Sequence, residues 1–306
     1  MLRHILHRFL LTLPALWLVL TLVFLLIHIV PGDPVEQMLG EGAAPGQVVE
    51  LRHTLGLDRP ILVQYGRYLS EIVRGDLGQS FKFQAPVRHV ILERYPATLQ
   101  LAFLALLVCA AIAIPAGIIA AHKRGSATDR SIGVFTLFGL AVPNFALGPL
   151  LIVLFSIELG WLPVSGRGGP LNYILPAATL GAALAAILTR MVRGAMLEEL
   201  SSDYVRTARA KGLSTFAVLV RHALRNALIP IITILGLQFG TLLAGTIVTE
   251  TIFSWPGIGR LTVQAISSRD YPLLQGCILV IALSYVLVNL LTDVLYAFID
   301  PRVRLS

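Results

Sequence analysis

Charged side chains and cysteines are both scarce in this chain. Of its 306 residues, 13% are charged and 56% are hydrophobic, and the mean hydropathy is +0.79. A soluble globular domain carries about 25% charged residues, so this composition excludes that class. The two cysteines, Cys109 and Cys277, stand in separate apolar runs and offer neither a disulfide framework nor a metal-ligand cluster.

Enzyme motifs are absent as well. The sequence has no HExxH zinc motif, no GxSxG serine motif and no pair of carboxylates at matched depth. None of its three lysines follows a glycine, so it has no GxxxxGK[ST] phosphate-binding loop. The embedded carboxylate relay of many proton-driven carriers is also missing. We therefore expect a non-catalytic protein that binds no cofactor itself and takes its energy from a partner.

The sequence contains six charge-free, apolar runs of 19 to 27 residues. A helix needs about 20 apolar residues to cross the hydrocarbon core, so each run predicts one transmembrane helix. The runs are Phe9–Val30, Ala97–Ala121, Ser131–Ile157, Leu171–Thr189, Asn226–Thr249 and Tyr271–Thr292. The predicted fold class is an all-α integral membrane protein with six transmembrane helices, a cytoplasmic elbow and a long external loop between helices 1 and 2.

Three regions follow from this pattern: residues 1–30 with the first helix, an external (periplasmic) loop subdomain at 31–96, and a five-helix membrane domain at 97–306. The first run exceeds the 7–15 apolar residues of a signal peptide and lacks a small-residue cleavage site, so we expect it to be retained.

Positive charge sets the predicted orientation. With the N-terminus inside, the cytoplasmic segments hold 14 of the 24 Lys and Arg residues and 5 acidic residues. The external segments hold 10 Lys and Arg residues and 11 acidic residues. The positive-inside rule then places both termini in the cytoplasm. Topology alone explains the pI of about 9.8, and no basic patch with aromatic residues indicates nucleic-acid binding.

The external loop predicts structure of its own. Prolines precede two segments, 47–57 and 61–74, that predict short helices. Gly56 and Gly75 are the glycines expected to end them. Short extended stretches follow in GDLGQSFKFQAPV. Such a loop either receives a partner or covers an entrance, or it is a packed cap over the bundle. Both interpretations stay open.

The stretch 197–230, which we call the elbow, predicts two amphipathic helices between two transmembrane runs. The first carries an apolar stripe from Leu197 to Ala208 and ends at Gly212 as a C′ glycine. The second begins at Ser214 as N-cap. Its predicted apolar face comprises Phe216, Leu219, Val220, Ala223, Leu224 and Ala227. A docked cytoplasmic motor would move the helices at either end of this elbow.

Polar residues in or next to the apolar runs are the default candidates for a permeation path. The candidates are His28, Asn144, Gln238 and Asn289 within the runs, Asp293 directly after the sixth run, and Glu250 at an outer boundary. We expect Asn144 and Gln238 to face the pathway; the alternative for both is a hydrogen bond between helices.

Two further segments have open interpretations. Glu250 and Trp255 are predicted to shape an external gate, with Pro256 and Gly257 at the centre of a type II turn. A plain connecting loop is the alternative. The GLQFG pair at 236–240 favours close packing within the chain over a partner interface.

The elbow resembles the coupling loop, or EAA region, of ABC importer permeases of the dipeptide, oligopeptide and nickel type. The resemblance is carried by YVRTARAKGL at 204–213 and RHALRNALIP at 221–230. It extends to IVPGDP (29–34), GDLGQS (75–80), YPAT (95–98), SWPGIGR (254–260), RDYP (269–272) and DVLYAFIDPR (293–302). Arg206 replaces the usual glutamate and Arg225 a later proline, as in the peptide-type branch. The pattern is similar to the first permease of dipeptide or glutathione systems.

This resemblance implies a bacterial inner-membrane importer. Its parts would be this chain, a homologous second permease, two cytoplasmic ATPase subunits that bind ATP and Mg, and an external solute-binding protein. Matching positions assign ATPase coupling to Tyr204, Arg206, Thr207, Ala208, Arg209, Ala210, Lys211 and Gly212. Gly212 would make the turn, Ala208 and Ala210 would allow close approach, and the basic residues would contact the partner. Lipid-headgroup anchoring is the alternative for those basic residues.

The resemblance also bounds the substrate. The family takes up dipeptides, longer peptides, glutathione and, in some members, nickel complexes. His28 and the cysteines stand alone in separate helices, which favours peptides over a nickel complex or another small solute. A secondary carrier without ATPase partners and a scaffold that moves nothing remain as hypotheses from other classes.

Overall fold

The structure is a computed structural model, and it describes residues 2–29, 35, 39 and 44–299. The predicted boundary between residues 30 and 31, most of the motif at 29–34 and the C-terminal segment from 300 onward lie outside the described residues.

Helices make up nearly all of the described chain. In chain order the elements are α1 (Leu2–Ile29), α2 (Pro45–Leu55), α3 (Ile61–Val73), β1 (Gln79–Ser80), β2 (Ala85–Pro86), α4 (Val87–His122), α5 (Ala127–Ala141), α6 (Asn144–Leu151, continued by a π-helix at Ile152–Glu158), a 3₁₀ turn (Pro170–Tyr173), α7 (Ile174–Leu200), α8 (Asp203–Ala210), a π-helix (Ala217–Ala223), α9 (Leu224–Gly245), α10 (Ile247–Ile252), α11 (Ile258–Ser267) and α12 (Tyr271–Ile299).

Within this described part, five helical stretches are long and apolar enough to cross a membrane. They are Leu10–Ile29, Val87–His122, Pro170–Leu200, Ala217–Gly245 and Tyr271–Val294. The pair α5 and α6 bends by 102° between Ala141 and Asn144, and it makes a sixth span if the two helices are counted as one broken span and not as a re-entrant loop. Pro143 lies at the break and has extended backbone. Proline has no N–H to donate to the preceding turn, and its ring disfavours a helical conformation of the residue before it. The all-α membrane class is confirmed, and the third predicted helix is broken.

The second transmembrane helix is longer than its apolar run. α4 begins at Val87, before the predicted boundary at Ala97, and contains both Pro96 and Pro115. Its charged first turns, which include Arg88, Glu93 and Arg94, were too polar to count toward a membrane run. The predicted boundary between residues 96 and 97 therefore falls inside one continuous helix.

Glycines allow the central helices to touch. A Cβ on Gly181 of α7 would lie 2.7 Å from the Ala105 carbonyl oxygen, and one on Gly117 of α4 would lie 2.6 Å from Val192. Close backbone approach at small residues is the usual way that membrane helices pack. α4 and α7 consequently form the centre of the bundle.

Gly236 and Gly240, the two glycines of GLQFG, also allow two helices of the chain to approach closely. A Cβ on Gly236 would overlap the Thr292 side chain of α12, and one on Gly240 would lie 3.3 Å from Asn289 Oδ1. The pair therefore brings α9 against α12, as expected for packing within the chain.

The segment between α1 and α4 folds as its turn residues predict. α2 ends at Gly56, whose φ of 68° accepts the left-handed cap, and α3 is followed by Gly75 with φ of 73°. The short hairpin of β1 and β2 then leads into α4. Its buried Ser80 hydroxyl donates to Asp270 Oδ2 at 2.6 Å, and the same oxygen accepts from the backbone N–H of Lys82 at 3.1 Å. Asp270 thus fastens the hairpin to the start of α12.

Candidate functional site

The elbow contains a break that the sequence pattern did not reveal. α7 runs on to Leu200, a turn covers Ser201 and Ser202, and α8 starts at Asp203. Ser201 donates its hydroxyl to the Glu198 carbonyl at 2.7 Å, a local bond that competes with helix continuation. The prediction of one helix from Leu197 to Lys211 is wrong, and the predicted coupling residues lie on a separate short helix.

The end of α8 matches the predicted turn. Gly212 has φ of 74°, and the Leu213 N–H donates to the Ala208 carbonyl at 3.3 Å. A Cβ on Gly212 would meet no atom within 4 Å. Glycine is therefore favoured here by its left-handed backbone and not by lack of space.

α8 has one buried and one exposed face. Val205 and Ala208 are buried against Val218, Leu219 and the α7 residue Met196. The exposed side carries the other predicted coupling residues, Tyr204, Arg206, Thr207, Arg209, Ala210 and Lys211. Ala208 packs inside this chain, and its role in the close approach of a partner stays a prediction.

Tyr204 ties α8 to α7. Its hydroxyl donates to the Glu199 carboxylate, and it also bonds to Asn226 of α9. Burial, followed by the Glu199 contact, raises the pKa of Tyr204 to about 12. Tyr204 therefore stays neutral and links three elements of the elbow.

The segment after Gly212 also departs from a regular helix. Ser214 Oγ accepts from the Ala217 N–H at 3.3 Å, which confirms the predicted N-cap. The next turn is π-helical from Ala217 to Ala223, with i to i+5 bonding that rotates the side chains relative to an α-helix. Leu219 and Ala223 are buried as predicted, whereas Phe216 and Val220 are exposed. Phe216 is 74% exposed, so a large apolar side chain is accessible at the start of this segment.

An ion pair that sequence reasoning missed lies at the same end of the bundle. Asp129 in the first turn of α5 accepts from Arg193 Nε at 2.7 Å and from Arg193 Nη2 at 2.8 Å. Asp129 also accepts from the Gly125 N–H, and its own N–H donates to Ser126 Oγ. An acid three residues after a serine is a capping signal that could have identified it. The pair fixes the start of α5 to α7 near the elbow.

Glu250 forms a second, enclosed arrangement, which we call the clasp (residues 246–260 with Thr98). The Glu250 side chain is fully buried. Its Oε1 accepts from Thr98 Oγ1 at 2.7 Å and Thr246 Oγ1 at 3.0 Å, and Oε2 accepts from the Arg260 N–H at 2.9 Å. Burial raises the pKa of the Glu250 carboxyl above its ordinary range, although these hydrogen bonds oppose the rise.

Two glycines leave room for the carboxylate. A Cβ on Gly257 would overlap the Glu250 carboxylate, and one on Gly259 would lie 3.0 Å from Oε2. Gly257 has φ of −99°, so the predicted type II turn is wrong. Glycine is needed at this position for space and not for a left-handed conformation.

Trp255 closes the clasp. It is fully buried, its Nε1–H donates to the Ala97 carbonyl at 2.9 Å, and its ring meets Tyr173 edge-on at 4.8 Å between centroids. The structure thus brings Glu250 and Trp255 together on α4, through Thr98 and Ala97. Both hold the segment in place and neither is exposed in this structure.

The other predicted pathway residues lie elsewhere. Gln238 accepts from Cys109 Sγ at 3.5 Å and donates to the Leu184 carbonyl at 3.3 Å, which joins α9 to α4 and α7. Gln238 thus makes the hydrogen bonds between helices that were the alternative to a position in the pathway. Asn144 starts α6 at the bend, and its buried Oδ1 accepts no hydrogen bond from the described residues. Its pathway role stays a prediction. His28 bonds through Nε2 to Gln64 Oε1 at 3.2 Å and so holds α3 against α1.

Comparison with known proteins gives consistent results. Residues 113–305 match the family described as binding-protein-dependent transport system inner membrane component. Residues 1–102 match the N-terminal component of the same systems.

The glutathione transport system permease protein GsiC of Escherichia coli K12 is 47% identical over 305 residues, covering 99% of each chain. GsiC of E. coli O6:H1 strain CFT073 has the same identity and coverage. Among solved structures, an inward-facing form of the MetNI methionine ABC transporter has a TM-score of 0.60 at 17% identity, covering 70% of this chain and 97% of that one. At this identity the last similarity shows the fold alone.

Proposed function

The chain belongs to the family of inner-membrane components of binding-protein-dependent transport systems, the permeases of ABC importers, and from this we propose that it forms half of the translocation pathway for glutathione or a short peptide. The likeness to glutathione permeases along 99% of the chain is the observation that carries this substrate class. The chain itself catalyses no reaction in this proposal.

The proposed assembly has four kinds of part. This chain pairs with a homologous second permease, two cytoplasmic ATPases bind ATP and Mg, and an external solute-binding protein delivers the substrate. Both termini are cytoplasmic. The elbow supports this arrangement, since Arg206, Arg209 and Lys211 are exposed, and so is the apolar Phe216 of the segment that follows. A short helix with one polar exposed face and a nearby aromatic side chain is suited to a groove in a partner.

The packing of α8 explains how movement would reach the membrane. Val205 and Ala208 lie in one apolar cluster with Met196 of α7 and Ala227 of α9. Because such packed clusters shift as units, a displacement of α8 would tilt α7 and α9 together. Those two helices also meet through Gln238, deeper in the bundle. Closure of the ATPases would in this way change the pathway between the two permeases.

Uptake into proteoliposomes that hold the purified complex tests the proposal. We expect glutathione accumulation that needs ATP on the ATPase side and the solute-binding protein on the other. Uptake by this chain without the ATPases would instead establish a secondary carrier. An assembled complex whose ATP turnover ignores substrate, and which accumulates nothing, would establish a scaffold.

A further inference from the structure

An arginine at the external end of the bundle is held entirely by neutral groups. Arg167 belongs to the loop between α6 and α7, and its side chain is exposed. Its Nη2 donates to Gln100 Oε1, and its Nε donates to the Tyr173 hydroxyl at 3.4 Å. Its Cζ lies 5.8 Å from the centre of the Trp255 ring. These contacts orient the guanidinium without cancelling its charge.

The support beneath Arg167 is rigid. Trp255 is buried and bonded to the Ala97 carbonyl, and the Tyr173 ring stands edge-on against it. The loop is anchored on both sides of Arg167, because the Gly166 N–H donates to the Phe253 carbonyl at 3.0 Å and Asn172 Nδ2 donates to the Ser165 carbonyl at 2.9 Å. The guanidinium therefore keeps a fixed position above the clasp.

Part of the guanidinium is unused. An arginine side chain has five N–H donors, and two of those of Arg167 are directed at Gln100 and Tyr173. Within the described ranges, no carboxylate forms an ion pair with it. The acid of the neighbouring clasp, Glu250, is buried and already accepts from Thr98, Thr246 and Arg260. A planar fork with free donors and an uncompensated charge suits a carboxylate.

We propose that Arg167, held by Gln100, Tyr173 and Trp255, binds a free carboxylate of the peptide substrate as it enters from the external side. This inference rests on the proposed import of glutathione or a short peptide, since such substrates carry a carboxylate at the C-terminus. Arg167 lies where α4, the start of α7 and the clasp meet, so the bound carboxylate would touch all three elements.

The test compares glutathione with the analogue whose glycine carboxylate is an amide. Initial uptake rates are measured in proteoliposomes that contain the whole complex and one solute-binding protein, with the wild type, Arg167→Gln and Arg167→Lys. We expect Arg167→Gln to lower glutathione uptake about tenfold and to leave amide uptake unchanged, because a charge-assisted bidentate contact is lost. Arg167→Lys should lose less, since it keeps the charge but not the fork. Arg88→Gln, which removes another exposed external arginine, should behave as wild type.

Every sample contains the same solute-binding protein. Its preference between the two substrates therefore cancels when the ratio of their uptake rates is compared between variants. An unchanged ratio of glutathione to amide uptake in Arg167→Gln overturns the inference, as does weaker docking of the substrate-free binding protein to that variant. Loss of the effect in vesicles without anionic phospholipid would assign Arg167 to lipid headgroups and overturn it too. If Arg167→Gln does not assemble, the ratio in Arg167→Lys decides. Failure of the proposed function is distinct, because the wild type itself would then accumulate no glutathione.

Discussion

The elbow and the clasp use the same residue types in opposite ways. In the elbow, the charged side chains of Arg206, Arg209 and Lys211 face outward, and Gly212 supplies a left-handed turn in open space. In the clasp, Glu250 faces inward and Gly257 supplies room for it. The elbow thus leaves these charged groups accessible to a partner, whereas the clasp satisfies its carboxylate within the chain.

The largest expected effect is on the clasp. Gly257→Ala places a Cβ in the Glu250 carboxylate, whose hydrogen bonds leave it little freedom to move. We expect a loss of about 3 kcal/mol in the free energy of unfolding, typical of severe overpacking. Thermal unfolding of the purified protein in detergent measures it.

Gly245→Ala is the matched control, because a Cβ there meets no atom within 4 Å. Equal loss in the two variants would mean that glycine at 257 is not needed for space. Partial recovery in Gly257→Ala combined with Glu250→Ala would identify the carboxylate as the obstacle.

The second-largest expected effect comes from comparing two ion pairs near the elbow, one partly buried and one exposed. Asp129→Asn leaves Arg193 without its charged partner and weakens two charge-assisted hydrogen bonds, and we expect a clear fall in the unfolding temperature. Asp203→Asn removes the exposed pair with Arg206 and should change the free energy by less than about 0.5 kcal/mol. Similar losses would contradict the division of the elbow into fixed and free groups.

The third effect is on activity alone. Arg209→Glu reverses an exposed charge in the last turn of α8, and we expect about a tenfold fall in substrate-stimulated ATP hydrolysis by the assembled complex, about 1.4 kcal/mol. Lys123→Glu makes the same reversal at the end of α4 and controls for the helix dipole. An equal fall in both would favour a general contact with lipid headgroups over a specific contact with the ATPase.

The smallest effect is the pH dependence of the clasp. A carboxyl whose pKa is raised by folding stabilises the folded state fully below its unfolded pKa, about 4.3, and this contribution is lost as the pH rises through the folded pKa. We therefore expect the unfolding temperature of the wild type to fall relative to Glu250→Gln as the pH rises from about 4, by about 2–4 °C per kcal/mol. A constant difference across this range would show that Glu250 does not carry the dependence.

Local features were predictable from the sequence. The apolar runs identified the membrane helices, and Gly56, Gly75 and Gly212 were correctly placed at helix ends because a left-handed cap depends on neighbouring backbone alone. The break before Asp203 was missed because the apolar stripe continues across it from α7 into α8. The π-helix at Ala217–Ala223 was missed because α-helical spacing was assumed.

The geometry of the clasp could not be predicted in this way. Thr98 and Glu250 are 152 residues apart, and neither has a local signal for the other. Glu250 and Trp255 were named as gate residues, but their burial depends on how α10 packs against α4. Long-range packing also decides the role of Gln238, which bonds to Leu184 across helices.

The bond between Ser80 and Asp270 has a consequence for how the protein is made. The two residues are 190 positions apart, so the hairpin leaves the ribosome well before Asp270 has been synthesised. At about 5–20 residues per second, this interval is roughly 10–40 s. The contact that fastens the hairpin is thus among the last that the chain can complete.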